Sequence, residues 1–338
     1  MKAAVFKGVG VPLAIEERPD PVPGPGEIIV RVGRVGVCGT DIHMTSGHGQ
    51  QAQSDSVIGH EFAGEVVALG DGVSRIKLGD RVAPMPFFGC GRCSACLAGY
   101  PIRCPEVNLA AGGAFSQYAR GGQNDCVILP PELSDEDGAL IEPLAVGLHG
   151  VRQAKMDVGA KVLIMGAGAI GLSATFWAKR LGASRLAVTA NSGRRAAIAK
   201  AMGADYFIPQ KDVGDANAAI HDALGGPPDV VIEAVGMAGA LGQAINFVKM
   251  DGTIVSLGFL GEPDTIVPAI AMWKGIRIQF SNVYERRDFQ YVADVMAAGD
   301  HTPRQLITST VSLDALPPKF ESLRGASSDV KVMIDPWA

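Results

Sequence analysis

A chain of 338 residues exceeds the usual size of one domain, so two domains are the expectation. Its composition, 47% apolar and 19% charged with 6% aromatic, is that of an ordinary globular protein and not of a disordered or fibrous one. A formal net charge of -5 argues against a nucleic-acid binder, and no run of five or more like charges forms a polybasic membrane patch.

In chain order, Met1 to Lys7 has no long apolar core, so no secretory signal is expected and the cytoplasm is the default location. The part up to about Pro143 reads as strand-rich. Ile28–Val32 and Glu65–Leu69 are expected strands bounded by Gly, Pro and Asp, and helical signals are sparse. Four of the six cysteines crowd into Cys90 to Cys104, a clustering that favours metal over a disulfide framework. The character changes near Leu144, where a helical stretch runs through Val151. Lys161–Met165 follows, a short apolar run suited to a strand buried on both faces.

Alternation then sets in. A strand is expected at Arg185–Thr189, a helix at Arg194–Met202 and a strand at Asp229–Ile232. A helix at Ala238–Lys249 and a strand at Thr253–Leu257 continue the rhythm of an α/β, doubly wound parallel sheet. Val162 to Ala178 carries no charge, but Gly166, Gly168 and Gly171 interrupt it, so it reads as strand, turn and helix start and not as a membrane span. Past Tyr284 the expected elements are a helix at Phe289–Ala298 and a strand at Val330–Ile334.

Three constellations carry chemistry. Cys90, Cys93, Cys96 and Cys104 offer four thiolates, three of them at two-residue gaps that let the backbone curl so that the sulfurs converge on one ion. Four sulfurs fill a tetrahedral zinc shell and leave no place for a substrate, so this zinc is structural. The second constellation is dispersed, with Cys38, Thr40, Asp41 and His43, then His60 and Glu61, then Glu142. A catalytic zinc takes about three protein ligands and an open position. Cys38, His60 and a carboxylate would supply that mixture, although spacing alone does not join them.

The third is Gly166, Gly168, Ala169, Ile170 and Gly171, a G-x-G-x-x-G pattern after an expected strand and opening a helix. There it reads as a cradle for a pyrophosphate at a helix N-terminus. An NAD site places an acid about twenty residues further on to hold the ribose hydroxyls. Here Ala190 stands at that place, followed by Asn191, Ser192, Arg194 and Arg195. Cations and hydroxyl donors suit a 2′-phosphate, so NADP(H) is preferred over NAD(H).

Taken together these residues resemble the zinc-containing medium-chain dehydrogenase/reductase (alcohol dehydrogenase) family, in its sorbitol/threonine dehydrogenase-like branch. The likeness rests on Cys38 to His43, on Gly59-His60-Glu61 with Gly64, Gly70 and Val73, and on Gly79-Asp80-Arg81-Val82. The four-cysteine lobe, Glu142-Pro143-Leu144 and the glycine turn complete it. The resemblance implies a GroES-like, β-rich catalytic domain over 1–145 and a Rossmann domain over 146–284. Residues 285–338 would return to the catalytic domain.

It also implies that Cys38 and His60 bind a catalytic zinc with either Glu61 or Glu142 as third ligand, and that Asp41 orients His60. Thr40 would take the substrate's hydroxyl proton and pass it through the cofactor ribose and His43 to solvent. Two zincs per chain, a small alcohol or its ketone or aldehyde as substrate, and a homodimer or homotetramer follow from the same resemblance, while the charge implies no nucleic-acid or membrane partner. Two departures stand out. The segment Met44 to Ile58 is shorter than in polyol dehydrogenases, and Met44 stands where they often carry an aromatic; both weaken a claim for sorbitol in particular. Ala190 departs from the NAD-using majority. Other readings are an NAD-dependent threonine- or butanediol-type dehydrogenase and, from another class, a non-catalytic nucleotide-binding protein that keeps its structural zinc. Phe115 is a candidate wall of the substrate pocket, and Cys126 reads as a buried strand residue.

Overall fold

The computed structural model describes residues 1–47, 49, 51–109 and 113–338. The chain separates into two compact units, one of Met1–Glu142 with Glu285–Ala338 and one of Pro143–Tyr284. Among the described residues no helix is long and apolar enough to cross a membrane.

In the Pro143–Tyr284 unit, Lys161–Met165 lies inside a six-stranded sheet. Arg185–Ala190 and then Tyr206–Pro209 extend it on one side, and Val230–Glu233, Thr253–Ser256 and Arg277–Phe280 on the other, every pairing parallel. Numbered within the unit the order is 3-2-1-4-5-6, the doubly wound arrangement in which ligands bind beyond the carboxyl ends of the strands, where the order reverses. Val162, Leu163 and Ile164 are wholly buried, which is why this strand reads as a continuous apolar run without alternation. Two expected helices shorten. Ala240–Phe247 begins only after Gly239, whose φ of 82° is left-handed, and the Arg194 segment opens as a 3₁₀ turn at Gly193–Arg195 before the helix Ala196–Ala201.

The other unit is built around one long strand, Glu27–Gly36, in a seven-stranded sheet. Glu61–Leu69 pairs along nearly all of it, Tyr118–Gly122 pairs with its first half, and the C-terminal strand Lys331–Asp335 pairs with its end at Val35 and Gly36. Ile28, Val30, Val32 and Val35 enter one core with Phe62, Val66, Phe115 and Phe320. A register shift between Val32 and Arg34 returns Val35 to that core three residues after Val32, where strict alternation would turn it away. Lys2–Phe6 forms a small separate sheet with Ala14–Glu17 and Ser56–Val57.

One helix departs from expectation. The helix thought to start at Leu144 runs from Asp135 to Ala154 and carries Pro143 inside it. A proline removes one N–H and normally ends a helix. Here Ser134 and Asp137 start the helix by exchanging backbone and side-chain bonds, the Ser134 N–H donating to Asp137 Oδ2 at 2.8 Å and the Asp137 N–H to Ser134 Oγ at 3.1 Å. The division between the two units falls at this proline.

Asp137 is buried and takes a two-pronged contact from Arg304, at 2.7 and 2.8 Å. Burial opposes its ionisation, but Arg304 and the Ser134 donors outweigh burial and hold the carboxyl below its ordinary 3.8. The native pKa is the lower one, so the pair's stabilisation is complete above the unfolded-state value and is lost as pH falls through the native value. Asp137→Asn is expected to lower unfolding free energy by about 2 kcal/mol at neutral pH, with Arg304 half in solvent limiting the loss. Denaturant melts from pH 7 to pH 3 should show the variant and the parent converging; a gap independent of pH would contradict this.

Candidate active site

The strand Glu27–Gly36 leads directly into the first cluster. Cys38 stands just before a short helical turn, Gly39–His43, and its N–H donates to Asp41 Oδ2 at 2.9 Å. The same carboxylate reaches the other way, with Oδ1 3.3 Å from Nδ1 of His60. His60 immediately precedes the strand Glu61–Leu69, so sheet pairing brings it beside the Cys38 turn. One ligand atom each from Cys38, His60 and Glu61 lies within 4.8 Å of the others. Glu142 is buried in the same unit but is not in this group.

The cluster suits a cation. Burial disfavours an imidazolium at His60, yet the facing Asp41 and Cys38 raise its pKa well above 6.5; a metal at the same point would take over that proton's role. With Nδ1 engaged by Asp41, Nε2 is left as the lone pair for a metal. Glu61 is wholly buried, and both of its oxygens accept from Lys331 Nζ, Oε1 at 2.6 Å. Thr40 is half-buried on the turn and His43 is exposed three residues on, on the same helical face. Phe115 does not wall a pocket. It is wholly buried, edge-on to Phe320, and it fills the space a Cβ on Gly59 would need, 2.4 Å away. In the segment Met44 to Ile58, His48 and Gln50 lie outside the described residues.

The second cluster gathers the sulfurs of Cys90, Cys93, Cys96 and Cys104 within 4.8 Å of one another, and none of the six cysteines forms a disulfide. Tetrahedral Zn–S bonds of about 2.3 Å would set the sulfurs roughly 3.8 Å apart. The Cys90 and Glu106 N–H groups each donate to Cys104 Sγ at 3.3 Å. Backbone donors at Arg92 and Cys93 bring the Cys90 thiol down to about 6, while burial pushes Cys96 up to about 12. Four thiolates cannot coexist there without a compensating cation, which is the charge balance zinc provides. Cys126 lies apart in the strand Cys126–Ile128, its thiol pushed up to about 12 by burial.

In the other unit, the three glycines of the turn after Lys161–Met165 are needed for different reasons. Gly166 has φ of 100°, and a Cβ there would meet the Ala234 carbonyl oxygen at 2.8 Å. A Cβ on Gly171 would meet the Gly166 carbonyl oxygen at 2.0 Å, so close packing of helix on strand excludes it. Around Gly168, the residue before the helix Ala169–Arg180, there is nothing within 4 Å. Ala169 and Ile170 form the first helical turn. The Gly166 N–H donates to Thr189 O at 2.8 Å, which sets the end of the neighbouring strand, and with it Ala190, beside this turn. Arg195 folds back and donates to Ala167 O at 3.1 Å. Asn191 and Arg194 are exposed, and Ser192 is half-buried in an extended conformation.

Residues 24–131 match the family description "Alcohol dehydrogenase GroES-like domain", and residues 169–298 match "Zinc-binding dehydrogenase". A sorbitol dehydrogenase of Bacillus subtilis is 35% identical over 99% of this chain and 97% of its own. The chain belongs to the zinc-containing medium-chain alcohol dehydrogenases. Within that family it is sorbitol dehydrogenase-like. Its fold superposes on the 2R,3R-butanediol dehydrogenase of Bacillus subtilis with a TM-score of 0.87 at 30% identity, over 99% of both chains. A Sinorhizobium meliloti protein described as a zinc-binding dehydrogenase, solved bound to NADP, gives 0.88 at 31% identity, also over 99% of both.

The β-rich unit carries both cysteine-containing clusters and the doubly wound unit the glycine turn. Sequence reasoning named the residues of all three but missed what braces them. Lys331 carries no motif, although a lone lysine within Val330-Lys331-Val332-Met333-Ile334 is a charge in a strand otherwise built for burial. Asp125 and Arg286 were also missed. Arg286 opens the helix Arg286–Ala297, and its Nη2 lies 2.6 Å from Oδ1 of the wholly buried Asp125. Asp125 Oδ2 accepts from the Gly89 N–H at 3.0 Å, and Arg286 reaches the carbonyls of Gly99 and Cys96. The thiolate lobe is thus clipped to the C-terminal segment of its own unit. Asp125→Ala should cost about 3 kcal/mol of unfolding free energy, because it strands a cation against a desolvated site. A denaturation midpoint unchanged from the parent would show the clip to be idle.

Proposed function

We propose that this chain is a zinc-dependent dehydrogenase that exchanges a hydride between a secondary alcohol or polyol, or the corresponding carbonyl compound, and NADP(H), in preference to NAD(H). The convergence of Cys38, His60 and Glu61 on one point, with Thr40 on the adjoining turn, carries this reading. In it, Glu61 is the third ligand of a catalytic zinc, Asp41 fixes the His60 ring, and Cys90, Cys93, Cys96 and Cys104 hold a second, structural ion. Bound zinc supplies a Lewis acid that stabilises charge on the substrate oxygen, and the nicotinamide supplies or takes the hydride. Thr40 accepts the hydroxyl proton as the alcohol is oxidised, and His43, exposed on the same helical face, returns it to solvent. Buried Glu61 and Asp41 keep the rear of the pocket dry, which strengthens every charge interaction within it. Family resemblance supports a homodimer or homotetramer working in the cytoplasm.

The cofactor preference rests on Ala190, where an acid would repel a 2′-phosphate, and on Ser192, Arg194 and Arg195 beyond it, Arg195 being anchored to the glycine turn. Likeness to a protein bound to NADP supports the same choice. The second reading, an NAD-dependent butanediol-type dehydrogenase, is favoured by the likeness to the Bacillus subtilis butanediol enzyme.

Metal analysis of the zinc-replete protein is expected to give two ions per chain. Cys38→Ser should retain one of them and lose activity by at least about a hundredfold, since Lewis-acid stabilisation amounts to several kcal/mol. A single ion in the parent would favour a nucleotide-binding protein without catalysis. Ala190→Asp should reduce kcat/KM for NADPH by about ten- to a hundredfold, one or two charge-assisted contacts' worth, while that for NADH holds or rises. A parent enzyme that prefers NADH would overturn the phosphate-pocket reading.

A further inference from the structure

We propose that Lys331 is a positioning residue of the catalytic metal pocket, a resident ammonium that neutralises Glu61 and so limits how tightly the pocket holds its cation. The proposal rests on the reading above, in which Cys38, His60 and Glu61 bind zinc. No motif of the chain points to Lys331. The geometry does.

Its ammonium has three protons and three acceptors, namely Glu61 Oε1 at 2.6 Å, Glu61 Oε2, and the Val37 carbonyl at 2.9 Å, next to Cys38. Both side chains are sealed from solvent, at 1% and 0% exposure. The sheet register delivers them to the same point, since Gly36 is paired with Glu61 on one side and with Met333, two residues beyond Lys331, on the other. A Cβ on Gly36 would stand 2.3 Å from Glu61 Oε2 and 3.0 Å from Lys331 Cδ. The long central strand therefore ends in a residue with no side chain where the ion pair passes over it. The pair is a fixed part of the pocket and not a surface contact.

Two consequences follow from an ammonium at this place, and they have opposite signs. As a hydrogen-bond donor it orients Glu61, and loss of such outer partners usually weakens metal binding by about 10- to 100-fold. As a positive charge in a low-dielectric site it repels the incoming ion and takes part of the carboxylate's charge for itself. Glu61 needs little orienting, because it lies within a paired strand and is packed against Gly36 on its other side. Repulsion is then the larger effect. A cation held loosely by a partly neutralised carboxylate is also a stronger Lewis acid toward substrate oxygen.

The test uses the full-length, zinc-loaded protein challenged with EDTA, with the release of the ion held by Cys38, His60 and Glu61 followed by a colorimetric indicator. Lys331→Met, which keeps the stem and removes the charge, should release that ion at least about tenfold more slowly, and Lys331→Arg should release it like the parent. The metal-free Lys331→Met protein should melt below the metal-free parent, with zinc closing the gap. Cobalt titrations settle the matter if that variant folds poorly. In a Glu61→Gln background no carboxylate remains to be oriented, and adding Lys331→Met should tighten cobalt binding relative to Glu61→Gln alone, with a changed visible ligand-field spectrum. Equal or faster release from Lys331→Met, or no tightening in the Glu61→Gln background, would overturn the proposal. A parent that binds one ion in total overturns the functional reading and this inference with it, whereas two ions with unaltered release overturn the inference alone.

Discussion

Pairing at the end of one strand organises the catalytic side of the molecule. Glu27–Gly36 is flanked at Gly36 by the start of Glu61–Leu69 and by the C-terminal strand that begins at Lys331. The chain then runs directly into Cys38 and the Thr40–His43 turn. Residues distant in sequence are thereby brought together by backbone ladder bonds, Glu61 and Lys331 within strands and Cys38 and His60 at strand ends. A backbone-registered site holds its donors in place before any ion arrives, which is the condition for efficient metal-assisted chemistry. The constraint is tight, since Gly36 has no room for even a methyl group between Glu61 and Lys331.

The two cysteine-containing clusters solve opposite charge problems. Four thiols at one point can ionise together only around a cation, and backbone N–H groups aimed at Cys104 and Cys90 share the remaining charge. Four sulfurs would fill a tetrahedral shell and leave no open position. The Cys38, His60, Glu61 cluster carries its own compensating charge in Lys331 and an imidazole whose Nδ1 is taken by Asp41. It offers three ligand groups, fewer than a tetrahedral ion accepts. Three protein ligands on a tetrahedral ion would leave one position open, which is what a substrate oxygen would need.

How much of this was legible in the sequence depended on how local the signal was. The four-cysteine spacing, the glycine turn and the buried strand Lys161–Met165 are local patterns, and the structure contains each where it was expected. The dispersed cluster needed family resemblance, because Cys38 and His60 meet only through sheet pairing across a register shift. The helix Asp135–Ala154 was misread because Pro143 is a strong local stop, whereas the capping exchange at Ser134 and the wholly buried Leu140, Ile141 and Leu144 override it. Phe115 looked like a pocket wall because it is aromatic and follows Gly113-Ala114; packing against Gly59 and Phe320 makes it a core residue instead. Lys331 and Asp125 left almost no trace, since the partner of a buried charge is named by tertiary register and not by spacing.

The three glycines of the nucleotide turn separate what the protein needs for itself from what it reserves for a ligand. Gly166 and Gly171 are forced by the fold, since a Cβ at either would strike backbone within 3 Å. Gly168 is not, because open space surrounds it and its φ of -76° is available to any residue. Folding alone would accept alanine there at less conformational cost. Its place at the head of the helix Ala169–Arg180, where the first N–H groups of a helix have no partner within it, suits a group that approaches closer than a methyl would allow. Arg195 brings a cation to the same turn by bonding to Ala167 O. The open glycine fits a phosphate-bearing ligand, as a nicotinamide cofactor is.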